Sequence, residues 1–233
     1  MKKVFLVLAV ISLAFTSCSS DDDNDPVVYP ENIYEGNVVL KSPLEIEQFG
    51  ENNYTIIKGY LRITDPENEQ HITHINGLTS ISIIEGSLYI EDNPYLENLS
   101  GLENLTTVSR SMHDSSIYIK NNTSLSSLSG LDNLTTFYNN VNIEDNAILT
   151  SLSGLENLTQ ALYLKINNNE LLNNLDALEN IVINEGVEII DNINLTNLCG
   201  LRNIENLYYS NIDVFGNAYN PTQEDIENGN CSL

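Results

Sequence analysis

Residues 141–158 read VNIEDNAILTSLSGLENL. Val141 and Ile143 alternate with polar neighbours, Asn146 follows, and Leu149, Leu152, Leu155 and Leu158 then recur three residues apart. Alternation with β-branched residues predicts a short half-buried strand. Apolar residues three apart are expected where a chain wraps tightly round a narrow core. The string returns along the chain: NPYLENLSGLENL from Asn93, NTSLSSLSGLDNL from Asn122, NAILTSLSGLENL from Asn146, NELLNNLDALENI from Asn169 and NINLTNLCGLRNI from Asn192 align without a gap. Intervals of 29, 24, 23 and 23 residues predict a solenoid, in which no coil buries its apolar side alone and stability comes from stacking on neighbours.

Immediately before each leading Asn lies the alternating run: Leu88-Tyr-Ile90, Ile117-Tyr-Ile119, Val141-Asn-Ile143, Leu164-Lys-Ile166, Val187-Glu-Ile189 and Ile212-Asp-Val214, with Leu61-Arg-Ile63 beginning the series. All coils advance in one direction, so these seven strands are expected to pair in parallel, about 4.8 Å apart, as a ladder roughly 30 Å long. Asn93, Asn122, Asn146, Asn169, Asn192 and Asn217 fall in one column, where stacked amides would bond the backbone as it leaves the strand. Asn104, Asn133, Asn157, Asn180 and Asn203 read the same way at another corner. Solenoid corners leave polar backbone groups that need partners, which accounts for the eleven asparagines of these columns among the chain's 35.

The pattern L-x-I-x-x-N-x-x-L-x-x-L-x-G-L-x-x-L over roughly residues 57–217 resembles leucine-rich repeats, and more closely the receptor L-domain type. Two residues between Asn and the next Leu favour the L-domain variant over the internalin variant. The resemblance implies a β-rich, right-handed solenoid with one parallel sheet of about seven short strands. It also implies recognition of a protein or a glycan, with the strand face as contact.

A stacked solenoid exposes its core at both ends unless something covers it. Residues 31–56 are expected to form the N-terminal cap: Ser42-Pro43-Leu44-Glu45 reads as a helix start with a capping box, Ile46 and Phe49 as its apolar face, and Gly50 as its stop. Val38-Val39-Leu40 precedes it as part of the lid. Residues 218–233 are expected to form the C-terminal cap, a short helix starting at Asn220-Pro221, carrying Ile226 and ending at Gly229. Cys199 holds the slot of Ser100, Ser129 and Ser153, and Cys231 follows the terminal helix; a disulfide would pin the lid to its coil, two free thiols being the alternative.

Residues 1–17 read as a signal: Lys2 and Lys3 precede a twelve-residue stretch, Val4 to Phe15, too short to span a bilayer, which needs about 20 residues. Thr16-Ser17-Cys18 resembles the lipobox of bacterial lipoproteins, which implies lipidation of Cys18. Residues 18–30 open on an acidic run that reads as a solvated tether, and acidic residues directly after such a Cys resemble the surface-export signal of Bacteroidota lipoproteins. The expected location is therefore the outer membrane, lipid-anchored and facing the exterior. The formal net charge is −24, with 33 acidic residues against 9 basic ones, which excludes a phosphate-backbone binder and hence a nucleic-acid partner.

Chemistry is sparse. His71 and His74 lack a third ligand, and no CxxC, HExxH or calcium loop is present, so neither a metal site nor a cofactor is expected. Glu91-Asp92 and Glu144-Asp145 beside the Asn column invite a calcium hypothesis, but other coils carry Asn121, Asn168 and Ile190-Asp191 there, which reads better as a solvated turn. No catalytic set is found, and an enzyme is not expected. The informative positions are the outward ones: Arg62, Tyr89, Tyr118, Asn142, Lys165, Glu188 and Asp213 in one column, and Thr64, Glu91, Lys120, Glu144, Asn167, Ile190 and Phe215 in the next. Variation on a constant scaffold marks a recognition surface, with Arg62, Tyr89, Tyr118, Lys120 and Lys165 as candidate contacts; a plain solvated sheet is the alternative. The 29-residue interval carries a five-residue insertion in the region 109–114, adding Arg110 and His113 as candidate contacts. The expected function is a surface binding or adhesion module, with a glycan-capture accessory of a polysaccharide-uptake system as the alternative.

Overall fold

The computed structural model describes residues 31–108, 116–135, 139–203 and 212–233. The signal segment, Cys18, the acidic tether, Arg110 and His113 lie outside the described residues. In chain order the elements are β1 (Ile33–Tyr34), β2 (Val38–Leu40), α1 (Pro43–Gly50), β3 (Ile56–Ile57), β4 (Leu61–Thr64), β5 (Ile83–Ile84), β6 (Leu88–Glu91), β7 (Thr107–Val108), β8 (Ser116–Lys120), β9 (Asn140–Glu144), β10 (Gln160–Asn167), β11 (Val182–Ile190), β12 (Ile212–Phe215) and α2 (Gln223–Glu227).

Eight strands pair in parallel in the order β12-β11-β10-β9-β8-β6-β4-β2. The register is that of the repeat: Leu61 pairs with Leu88, Leu88 with Ile117, Ile117 with Val141, Val141 with Leu164, Leu164 with Val187 and Val187 with Ile212. The sheet thus has one strand more than the sequence suggests. Val38-Val39-Leu40, read as lid, lies in register with Leu61-Arg62-Ile63 and forms the first coil. A second parallel sheet, β1-β3-β5-β7, runs along the segment that enters the main strands. Its strands are two residues long, too short for alternation to announce them.

Between the walls lies one continuous core. Leu96, Leu99, Leu102 and Leu105, and their equivalents Leu125 to Leu134 and Leu149 to Leu158, are buried with the inward strand residues. Coils approach closely where glycine recurs. A Cβ on Gly130, which has φ +114°, would stand 2.2 Å from the Leu99 carbonyl oxygen. Neither that contact nor that backbone conformation suits a larger residue.

At the N-terminal end α1 takes the place of a coil return. Ser42 Oγ accepts from Glu45 N–H, while the Glu45 carboxylate reaches back to Lys41 N–H and not to that of Ser42. Gly50 is the last helical residue and not a left-handed stop; a Cβ there would collide with the Gly77 carbonyl, so it serves close packing. At the other end α2 starts later than Asn220-Pro221, at a capping box of Thr222 and Asp225. Cys231 is disulfide-bonded to Cys199, as the spacing suggested, across a separation of 32 residues. The terminal segment lies on the last full coil: Leu198 N–H donates to Cys231 O, Leu233 N–H to Thr196 O, and Ile226 is buried.

Candidate binding face

The corner beside the face is set by asparagine. Asn93, Asn122, Asn146, Asn169 and Asn192 are fully buried, and each donates from backbone N–H and from Nδ2 to Oδ1 of the next, ending on Asn217. Each Nδ2 also reaches a strand carbonyl one coil back, as Asn146 does to Ile119 O at 2.9 Å. Asn220 closes the ladder, its Oδ1 accepting from both Asn217 donors, which explains why it does not cap α2. The column begins on an orphan: Pro66 stands where the previous coil would supply a donor, and Asn93 Oδ1 has no partner. In the second column, Asn104, Asn133, Asn157, Asn180 and Asn203 each donate Nδ2 to a carbonyl of the preceding coil, and these bonds are exposed.

A third column escapes the sequence reading. Asp92, Asn121, Asp145, Asn168 and Asp191 have φ of 57°, 57°, 56°, 55° and 57°, and Gly216 continues the series at 72°. Left-handed backbone favours Asp, Asn and Gly, so the acidic residues suspected of binding calcium answer a backbone requirement. Asp and Asn alternate, and the amides of Asn121 and Asn168 donate to the carboxylates of Asp92 and Asp145. Among the described residues no group of three or more His, Cys, Asp or Glu could hold a metal ion. His71 instead lays its ring edge-to-face on Tyr95, with centroids 4.6 Å apart.

On the outward face the register sets Arg62 beside Tyr89 and Tyr89 beside Tyr118. The tyrosine rings stack with centroids 5.0 Å apart and planes 3° from parallel, close to the strand spacing itself. The Arg62 guanidinium lies 4.9 Å from the Tyr89 centroid and pairs with Glu91. Tyr60, outside the candidate list, meets Tyr89 edge-on at 5.7 Å. It precedes the inward Leu61 and so shares the outward parity of Arg62; extending the alternation by one residue would have found it.

Lys120 and Lys165 form a second group. Lys120 reaches Asp145 at 3.5 Å and Glu144 at 4.0 Å, and Lys165 lies between Glu144 at 3.1 Å and Glu188 at 3.3 Å. Glu188 also accepts from Asn167 and from the Tyr163 hydroxyl. Burial pushes the Glu188 carboxyl up, but hydrogen bonds from Asn167, Lys165 and Tyr163 and the charge of Lys165 outweigh it, and its pKa ends lowered. For Lys165, burial works downward, and the hydrogen bonds and charges of Glu144 and Glu188 prevail, leaving its pKa raised. Tyr163 is pushed up by burial and by Glu188. The cations here are held by carboxylates of the same face, so they fix side-chain positions more than they offer free positive charge.

No helix among the described residues is long and apolar enough to cross a membrane. No curated protein and no solved structure matches the chain. Residues 53–157 match the model of the family described as Receptor L domain, which points to a ligand-binding module. With the asparagine ladder and parallel register running on unbroken to Phe215, the solenoid is receptor L-domain-like.

Proposed function

We propose that the strand face recognises a macromolecular partner, with Arg62, Tyr89 and Tyr118 as its centre and Lys120 and Lys165 beside it. The observation that carries this reading is the Arg62–Tyr89–Tyr118 stack, three contact-prone side chains already ordered by the ladder beneath them. Side chains fixed before binding lose little entropy when a partner arrives. The protein is read as a lipid-anchored module on the outer-membrane exterior, held through Cys18 and working by adhesion or capture. Lipid labelling of the wild-type chain, lost in Cys18→Ser, tests the anchor.

Between a protein and a glycan, the stack favours a protein. A sugar ring packs on an aromatic face, and the faces of Tyr89 are taken by Tyr118 on one side and by Arg62 on the other. What Tyr89 leaves outward is ring edge, which suits the mixed contacts of a protein interface. The test compares Tyr89→Ala/Tyr118→Ala with wild type on a glycan array and on a panel of immobilised surface proteins. The expected result is capture of a protein that the double variant loses while its melting temperature stays near wild type. Glycan capture that the double variant loses, or protein capture that it keeps, would overturn the assignment.

A further inference from the structure

The two ends of the main sheet are finished differently. At the N-terminal edge the inward residues Val38 and Leu40 of β2 are each 4% exposed. At the C-terminal edge Tyr219, Cys231 and Leu233 bond to the Leu195–Cys199 side of the last full coil. There β12 pairs only with β11 among the described residues, its inward Ile212 and Val214 are half-buried, and Phe215 is 54% exposed. Edge strands that remain unpaired are normally kept short or blunted by charge, proline or a bulge. Ile212-Asp213-Val214-Phe215 is short and carries one charge, that of Asp213, with no lysine or proline.

The chemistry of this edge is one-sided. Glu188 and Asp213 are in register on the outward side, and downstream of Lys165 the sequence has a single basic residue, Arg202. The Arg202 Nε is turned to the Cys199 carbonyl. A second copy pairing its own β12 here would bring two sets of carboxylates together, which disfavours self-association. A basic strand would meet complementary charge outside, Ile212 and Val214 inside, and between them a strand edge that pairs with no further strand among the described residues.

We propose that β12 is a docking edge for an extended basic segment of another polypeptide, which adds as the next strand of the sheet. Its apolar residues pack towards Ile212 and Val214, and its Lys or Arg side chains meet Asp213 and Glu188. The contact lies at the end of the sheet, away from Tyr89 and Tyr118, and meets the proposed face only through Glu188, which also pairs with Lys165.

The test uses the full chain and two decapeptides, one alternating valine with lysine and one alternating valine with glutamate. Saturable binding of the lysine peptide alone is expected, with new hydrogen-exchange protection of amides in β12. Asp213→Lys/Glu188→Lys should weaken it by about tenfold or more, whereas Glu224→Lys/Glu227→Lys on α2, an equal change of charge, and Tyr89→Ala/Tyr118→Ala should leave it unchanged. The exchange measurement on wild type stands by itself should the Asp213→Lys/Glu188→Lys chain fail to fold. Equal binding of both peptides, equal loss in both charge-reversed chains, no protection at β12, or dimerisation of the chain through β12 would each overturn the proposal.

Discussion

Asn192 donates to Asn217 twice, from its backbone N–H at 3.0 Å and from Nδ2 at 3.1 Å, both ending on one side-chain oxygen. One amide therefore satisfies the turn of the coil before it, while its own Nδ2 answers a strand carbonyl. The column is a chain of mutual dependence, and its interior members should be the least replaceable polar residues of the fold. Asn146→Ala would take the acceptor from Asn122 N–H and from one of the two Asn122 Nδ2 hydrogens, the other staying on Ile90 O, and would remove the amide donor to Ile119 O. Since a buried group left unsatisfied costs about 1–3 kcal/mol, the expected loss is on the order of 3–5 kcal/mol. Asn157→Ala, in the exposed second column, should cost under about 1 kcal/mol. Urea denaturation of both variants checks the contrast.

The left-handed column makes a separate prediction. Asn168 has φ 55° and one side-chain bond, to Asp145. Asn168→Gly should be nearly neutral, losing the exposed amide bond and relieving the backbone. Asn168→Val should cost about 2 kcal/mol, because a β-branched residue is poorly accommodated there. Asn121→Asp has a different signature: it sets a third carboxylate between Asp92 and Asp145, so its melting temperature should recover as salt is raised. Thermal melts of the three variants, at low and high salt, measure both effects.

Strand positions and the two asparagine columns were legible because a repeat reports each position several times over. Arg62, Tyr89 and Tyr118 could be set in one line for the same reason, since parallel coils fix register. Single events are harder. Ile56–Ile57 and Ile83–Ile84 carry no alternation, and Val38–Leu40 lacks the downstream Asn and Leu positions because α1 replaces them. The Asp and Asn of the third column read as a solvated turn, and only φ shows the backbone requirement they share. The grip of Glu144 and Glu188 on Lys165 depends on rotamers, which spacing does not encode; from composition alone the lysines look freer than they are.

That grip should show in the pH dependence of stability. A lowered carboxyl pKa contributes stability that is complete above the ordinary value of 4.5 and disappears as pH falls through the folded value, so Glu188 adds to acid sensitivity below about pH 4.5. The raised Lys165 works at the other end: its contribution is complete below 10.5 and is lost as pH rises through the folded value. Raised Tyr163 acts in the same alkaline direction, from 10.0 upward. Glu188→Gln should therefore be less stable than wild type at pH 7 and closer to it at pH 3. Lys165→Met should lose the alkaline component. Denaturation midpoints across pH 3–11 for the three chains give the answer, and parallel curves would remove the network from any account of stability.

The disulfide carries the last prediction. Cys231 is buried, and its bond to Cys199 closes a loop that includes β12 and α2, so reduction frees the whole C-terminal cap from its coil. For a separation of 32 residues the chain-entropy model gives roughly 3–4 kcal/mol. In a solenoid that loss starts at one end, because each coil leans only on its neighbours. Cys199→Ser/Cys231→Ser, or wild type in reductant, should first lose hydrogen-exchange protection at Leu195, Leu198 and β12, while β4 to β8 stay protected. Unreduced protein should show neither of these cysteines reactive towards a thiol reagent. Uniform loss of protection along the ladder would instead mean that the coils unfold as one cooperative unit and that the cap stabilises all of them together.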